Sequence, residues 1–229
     1  MVQAAQKEIA RAREVQIQSG AAVLQGELNI PAGARGVVLF AHGSGSSRHS
    51  PRNQFVARTI RGAGVGTLLF DLLTGEEEAI DLRTRHLRFD IGLLAERLVD
   101  ATHWLKADMS HLNVGYFGSS TGGGAALVAA AELGETIGAV VSRGGRPDLA
   151  GAALPQVKSP TLLIVGGLDY AVIEMNQEAY EQMICEKELK IVRGATHLFE
   201  EPGTLEEVAS LAADWFQRYL GVERATGTD

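Results

Sequence analysis

Apolar residues in this chain fall into short continuous runs, separated by longer segments of helical period. Residues 36–41 (Gly-Val-Val-Leu-Phe-Ala), 66–72 and 160–166 are near-continuous apolar runs, and 138–142 and 189–192 are two further candidate strands. Such runs predict strands covered on both faces. Ahead of them, 14–18 and 23–29 alternate apolar with polar around Ser19-Gly20. That pattern predicts a hairpin at a sheet edge, ended by Pro31 and Gly33. Between the strands, 53–61 and 172–183 read as helices. Leu87, Ile91, Leu94, Leu98, Ala101 and Leu105 recur at spacings of four and three, which is one face of a long helix. A final helix opens on an apparent capping box, Thr204-Leu205-Glu206-Glu207, and buries Leu205, Val208, Ala212, Trp215 and Tyr219. The acidic stretch 74–81 reads as loop.

Buried strands alternating with helices predict an α/β fold. Its central sheet is mostly parallel, with an N-terminal antiparallel hairpin and helices on both faces. The connections are too short for a large cap domain, although 74–85 has room for a small lid. One domain spans 14–220, between a polar arm at 1–13 and a polar tail at 221–229.

The stretch 112–124 carries the chemistry. Leu112, Val114 and Tyr116 alternate as a strand, Gly118-Ser119-Ser120-Thr121-Gly122 matches G-x-S-x-G, and an Ala-rich segment runs from Ala125 to Leu133. Strand, sharp turn and helix with a serine at the apex is the context a nucleophile elbow needs. An ordinary glycine-rich turn capped by Ser120, or a phosphate cradle, is the plainer alternative.

Two further strand ends supply partners in chain order. The run at 160–166 leads to Asp169, and the last strand leads to Gly194-Ala195-Thr196-His197. A serine hydroxyl is a weak nucleophile at neutral pH, so it needs a base, and the base needs an acid to fix its tautomer. Ser120 is read as nucleophile, His197 as general base then acid, and Asp169 as the orienting carboxylate. Asp169 has a rival role as a helix cap, and Asp71 is a rival acid. His42 also ends a strand, but it precedes the serine. The oxyanion of a tetrahedral intermediate needs two backbone N–H donors. Thr121 supplies one, and the loop His42-Gly43-Ser44-Gly45 the other, at Ser44 first and Gly45 second.

Composition narrows the class. The chain has 229 residues, 45% hydrophobic and 21% charged, with a net charge of −7. That is ordinary for a globular domain, and it makes no electrostatic case for nucleic acid or an anionic membrane as partner. The lone cysteine, Cys185, excludes an internal disulfide framework and fits a reducing compartment. No signal sequence is visible in the polar N-terminus, so the cytoplasm is the expected location. No metal or cofactor is expected.

With these residues in hand, the chain resembles the α/β-hydrolase superfamily, and within it the cap-less dienelactone hydrolase-like group, over about residues 14–220. The resemblance implies hydrolysis of small soluble esters or lactones through an acyl-enzyme. It departs from dienelactone hydrolase proper, which uses a cysteine where this chain has Ser120. A thioesterase, a peptidase, a perhydrolase, or an idle scaffold that binds a small ligand would share most of these features.

Two basic clusters bear on substrate. One is Arg83, Arg85, His86 and Arg88, and the other is Arg143 with Arg146. Arginine suits carboxylate or phosphate by bidentate pairing. Arg143 is the candidate reader of an anionic substrate group. The structural alternatives are that Arg143 pairs with Asp148 or Glu200, and that the first cluster balances Glu76 to Glu78.

Overall fold

The computed structural model describes residues 12–221. The polar arm and tail lie outside the described residues, apart from residues 12, 13 and 221. Among the described residues, eight strands form one sheet: β1 (Arg13–Ser19), β2 (Ala22–Asn29), β3 (Gly36–Ala41), β4 (Gly66–Phe70), β5 (Asn113–Ser119), β6 (Ile137–Arg143), β7 (Thr161–Gly166) and β8 (Lys187–Val192). Their spatial order is β1-β2-β4-β3-β5-β6-β7-β8. The first two pairings, β1 with β2 and β2 with β4, are antiparallel. All others are parallel.

Six α-helices among the described residues accompany the sheet: α1 (Pro51–Gly62), α2 (Gly75–Thr84), α3 (Ile91–Asp108), α4 (Thr121–Leu133), α5 (Tyr170–Gln182) and α6 (Thr204–Leu220). Consecutive residues of a strand point to opposite faces. On β5, Tyr116 accordingly joins the layer beneath α3 and α4 with Leu98 and Ala126. Phe117 joins the layer beneath α1 and α6 with Ile60 and Phe216. The hairpin is one-sided, alternating exposed and buried along β1, whereas β3, β4, β5 and β7 are buried throughout. No helix among the described residues is long and apolar enough to cross a membrane.

Three expectations fail locally. Residues 74–81 are not loop: α2 begins at Gly75, inside a true capping box. Thr74 Oγ1 accepts from the Glu77 N–H at 3.2 Å, and the Glu77 carboxylate accepts from the Thr74 N–H at 2.8 Å. Glu76, Glu77 and Glu78 form the first turn, where the helix dipole favours negative charge. The box expected at Thr204 is absent. Gly203, left-handed at φ 84°, is the N-cap, and the Thr204 hydroxyl donates backward to the Glu201 carbonyl. The long amphipathic helix also starts later than Leu87. Leu87–Phe89 is a 3₁₀ turn, and Asp90 then caps α3 by accepting from Leu93 N–H.

The strand order reverses direction at β3. The chain leaves β3 for β4 on one side and later places β5 on the other. In open α/β sheets, the crevice for ligands lies at such a switch point, beyond the carboxyl ends of the strands. Here the loops leaving β3 and β5 are the Ser44 loop and the Ser120 turn.

Candidate active site

Ser120 stands between β5 and α4 at φ 51° and ψ −122°, outside the regions a side chain prefers. Such strain persists only where neighbours hold it. The Ser120 carbonyl accepts from Gly123 N–H at 2.9 Å and from Arg146 N–H at 3.0 Å. Strand and helix close around the serine because two neighbours lack a Cβ. A Cβ on Gly122 would stand 2.1 Å from the Ala41 carbonyl oxygen, and one on Gly118 would stand 2.4 Å from that of Gly122. These contacts explain the spacing of the G-x-S-x-G pattern.

His197 Nδ1 lies 2.6 Å from Asp169 Oδ2. Asp169 is the N-cap residue of α5, but its side chain makes no capping bond. The rival acid is engaged elsewhere: the Asp71 carboxylate accepts from the backbone N–H of Arg48 and from its guanidinium. His42 is also occupied. Its Nε2 accepts from Leu72 N–H at 3.0 Å, so the ring proton sits on Nδ1, 3.1 Å from the Gly43 carbonyl. Burial pushes the His42 pKa below its ordinary value, which keeps the ring neutral. His42 therefore ties the loop after β3 to the end of β4.

Ser120 and His197 line one cleft of about 220 Å³ together with Gly43, Ser44, Arg52 and Arg143. Among the described residues, Ser120 Oγ makes no hydrogen bond, and contacts of this kind often tighten only when substrate binds. The loop after β3 reaches the serine closely: a Cβ on Gly43 would stand 3.1 Å from Ser120 Cβ. Ser44 Oγ and Thr121 Oγ1 are 3.1 Å apart, which brings the two expected oxyanion positions together beside Ser120. Thr121 opens α4, so its N–H is one of the helix's unsatisfied first-turn donors. Ser44 Oγ also donates to the Arg88 carbonyl at 3.3 Å.

Neither pairing expected for Arg143 is present among the described residues. Asp148 is gripped by Arg146 through bonds of 2.8 and 2.7 Å, and Glu200 pairs with Arg52 at 3.4 Å. Arg88 turns to the buried Asp81, and Glu77 pairs with Arg97 at 2.6 Å. Arg143 is 6% exposed and has no carboxylate partner among the described residues.

The sequence reading passed over the supports of the site. Asn53 and Ser119 hold the Arg143 guanidinium, at 3.4 and 2.9 Å. Phe199, buried at φ 55°, packs its ring 5.7 Å from that guanidinium and anchors the His197 turn. Glu201 accepts from the Thr196 N–H at 3.0 Å and from its hydroxyl at 2.6 Å. Hydrogen bonds from Thr196 hold the Glu201 carboxyl below its usual pKa. A lone aromatic residue in a polar strand-end loop was the one visible signal for Phe199.

Comparison with known proteins gives the following. The model of a family described as the dienelactone hydrolase family matches residues 24–222. A crystal structure of dienelactone hydrolase from Anabaena variabilis is 64% identical, with a TM-score of 0.91, covering 93% of this chain and 100% of that one. A Xanthomonas campestris α/β serine hydrolase without a lid is 19% identical with a TM-score of 0.73, over 93% of this chain and 97% of its own, a likeness of fold alone. Two Mycobacterium tuberculosis proteins, each named "Putative phosphoribosyl transferase", are 58% identical over 212 residues. That match covers 92% of this chain and 47% of the relative, so the chain spans about half their length.

Proposed function

Because the chain belongs to the dienelactone hydrolase family, we propose that it is a serine hydrolase cleaving small soluble carboxylic esters or lactones through an acyl-enzyme. The observation that carries this reading is the 2.6 Å contact of His197 with Asp169, in the same cleft as a strained serine at φ 51°.

In the proposed mechanism, Ser120 Oγ attacks the substrate carbonyl and its proton passes to His197 Nε2. Asp169 holds the proton on Nδ1 and stabilises the imidazolium. The N–H groups of Thr121 and Ser44 receive the oxyanion, with Gly45 as the alternative second donor. As the intermediate collapses, His197 protonates the leaving alkoxide. A water molecule, deprotonated by His197, then attacks the acyl-enzyme, and as the Ser120 Oγ–acyl bond breaks His197 returns the proton to Oγ and the acid leaves. The small cleft and the lack of a large cap favour short acyl groups over long-chain lipid.

The name borne by the M. tuberculosis relatives belongs to proteins about twice as long. A serine elbow with a histidine–aspartate pair is suited to acyl chemistry and offers nothing specific to phosphoribosyl transfer. Proposed with the ester reading are a location in the cytoplasm and small-molecule substrates as partners.

The test is turnover of p-nitrophenyl esters from acetate to decanoate by the wild-type protein and by Ser120→Ala. The reading requires hydrolysis of acetate or butyrate that falls by several orders of magnitude in the variant. Undiminished turnover by Ser120→Ala would reject it.

A further inference from the structure

The sheet ends at β8 with one edge open. Among the described residues, β8 pairs with β7 and with no other strand. The ladder to β7 fixes which backbone groups are used. The Glu186 carbonyl accepts from Thr161 N–H at 2.9 Å, and the Val192 carbonyl accepts from Gly167 N–H at 2.8 Å, with the register unbroken between them. Successive residues of a strand direct their N–H and C=O to alternate sides. Glu188, Lys190 and Val192 therefore face β7, whereas Lys187, Leu189 and Ile191 direct theirs toward the open edge. Such a row of free donors and acceptors is a template for another strand.

The side chains along this edge suit a second copy of the same strand. In an antiparallel pairing centred on Leu189, the residues with outward backbone groups meet each other: Leu189 with Leu189, and Lys187 with Ile191 in both directions. Each of these pairs exchanges both N–H···O bonds. Between them lie the non-hydrogen-bonded pairs, whose Cα atoms approach to about 4.5 Å. Those pairs are Glu188 with Lys190, once on each side of the two-fold axis, so opposite charges fall at the closest cross-strand positions. Within the chain Lys190 already lies 2.9 Å from Glu188, so the four charges form one alternating network.

The same charges reject the neighbouring registers. Backbone direction allows only shifts that keep outward residues facing outward residues. Moving the centre to Glu188 sets two glutamates together, and moving it to Lys190 sets two lysines together. Like charges directly opposite are destabilising. Apolar surface adds to the match: Ile191 is 43% exposed, and Ile184, just ahead of β8, is 82% exposed. In the centred register Ile191 lies opposite Lys187 of the second copy. Lys187 Nζ donates to the Tyr180 and Met183 carbonyls of its own chain, so its charge is satisfied there and its stem can cover Ile191.

We infer that the open edge of β8 is a dimerisation surface, on which a second copy of this chain pairs antiparallel about Leu189 and two eight-stranded sheets join into one. The contact is isologous, so each copy gives and receives the same bonds. Nothing in it depends on ester chemistry.

Sedimentation velocity of the full-length protein over about 1 to 100 μM reads the assembly. The expected result is a concentration-dependent passage from monomer to dimer. Ile191→Pro deletes a donor that faces only the open edge, so it spares the β7 ladder. It should raise the dissociation constant roughly 10- to 100-fold. Glu188→Lys or Lys190→Glu alone gathers four like charges at the axis and should also weaken the dimer. The two reversals in one chain restore opposite pairs and should regain it. A melting curve checks the fold of each variant, and if Ile191→Pro does not fold, the charge reversals decide. A wild-type monomer at every concentration overturns the inference and leaves the edge to a different protein or to the chain's own tail. A dimer that Ile191→Pro and the single reversals leave unchanged also overturns it, because the contact then lies on another face. A dimer weakened by each reversal and not regained by both overturns the pairing about Leu189.

Discussion

Asp169 occupies the N-cap position of α5, yet its carboxylate goes to His197 Nδ1, 2.6 Å away, and not to the helix. A turn aspartate ordinarily accepts from the first helical N–H groups. Here that stabilisation is forgone, and the carboxylate fixes the imidazole instead. Asp169→Asn keeps the shape but removes the charge and favours the wrong ring tautomer. It should lower kcat for a short ester by about ten-thousand-fold while leaving the thermal midpoint near that of the wild type. Initial rates with a melting curve on the same sample test this.

The elbow has no room for a methyl group. In Gly122→Ala the new Cβ would need to sit 2.1 Å from the Ala41 carbonyl oxygen. Either β3 or α4 must shift, at a cost of about 3 kcal/mol. Urea unfolding should show that loss together with loss of ester turnover. Stability equal to wild type would mean that the close approach is not present in solution.

His42 contributes to acid sensitivity through one buried ring. Its folded pKa lies below the ordinary value of 6.5, chiefly through burial. Above that value the ring is neutral in folded and unfolded chains alike, so it contributes no pH dependence. Below it, the unfolded chain takes up the proton first, and stability falls until the lower folded pKa is reached. His42→Gln, which can still accept from Leu72 N–H, should flatten that part of the stability curve below about pH 6.5. Denaturant midpoints against pH for both proteins would show it.

The cap of α2 offers a local check. Thr74→Ala removes the acceptor for Glu77 N–H and should cost about 1 kcal/mol. The loss should appear in urea unfolding and as faster amide exchange in the first turn of α2.

The legible part of the molecule was the part decided by local sequence. Buried runs marked β3, β4 and β7, because a strand covered on both faces has no polar alternation. The elbow was legible because Gly118 and Gly122 bracket a serine between strand and helix. Residues 74–81 misled because Glu76, Glu77 and Glu78 read as a solvated run, although three acids after a threonine suit a helix N-terminus. Thr204 misled in the opposite sense: its spacing to Glu207 fits a box, but Gly203 took the cap. The surroundings of Arg143 were not legible. They depend on Arg146 holding Asp148 and Arg52 holding Glu200, and sequence distance ranks none of those pairings.

The measurement closest to the central proposal is covalent labelling of the nucleophile. The protein is incubated with a fluorophosphonate, and the modified peptide is mapped by mass spectrometry. The account predicts one adduct per chain, on Ser120, absent from Ser120→Ala and slowed in Asp169→Asn. An adduct on another serine, or no adduct on a protein that turns over short esters, would contradict it.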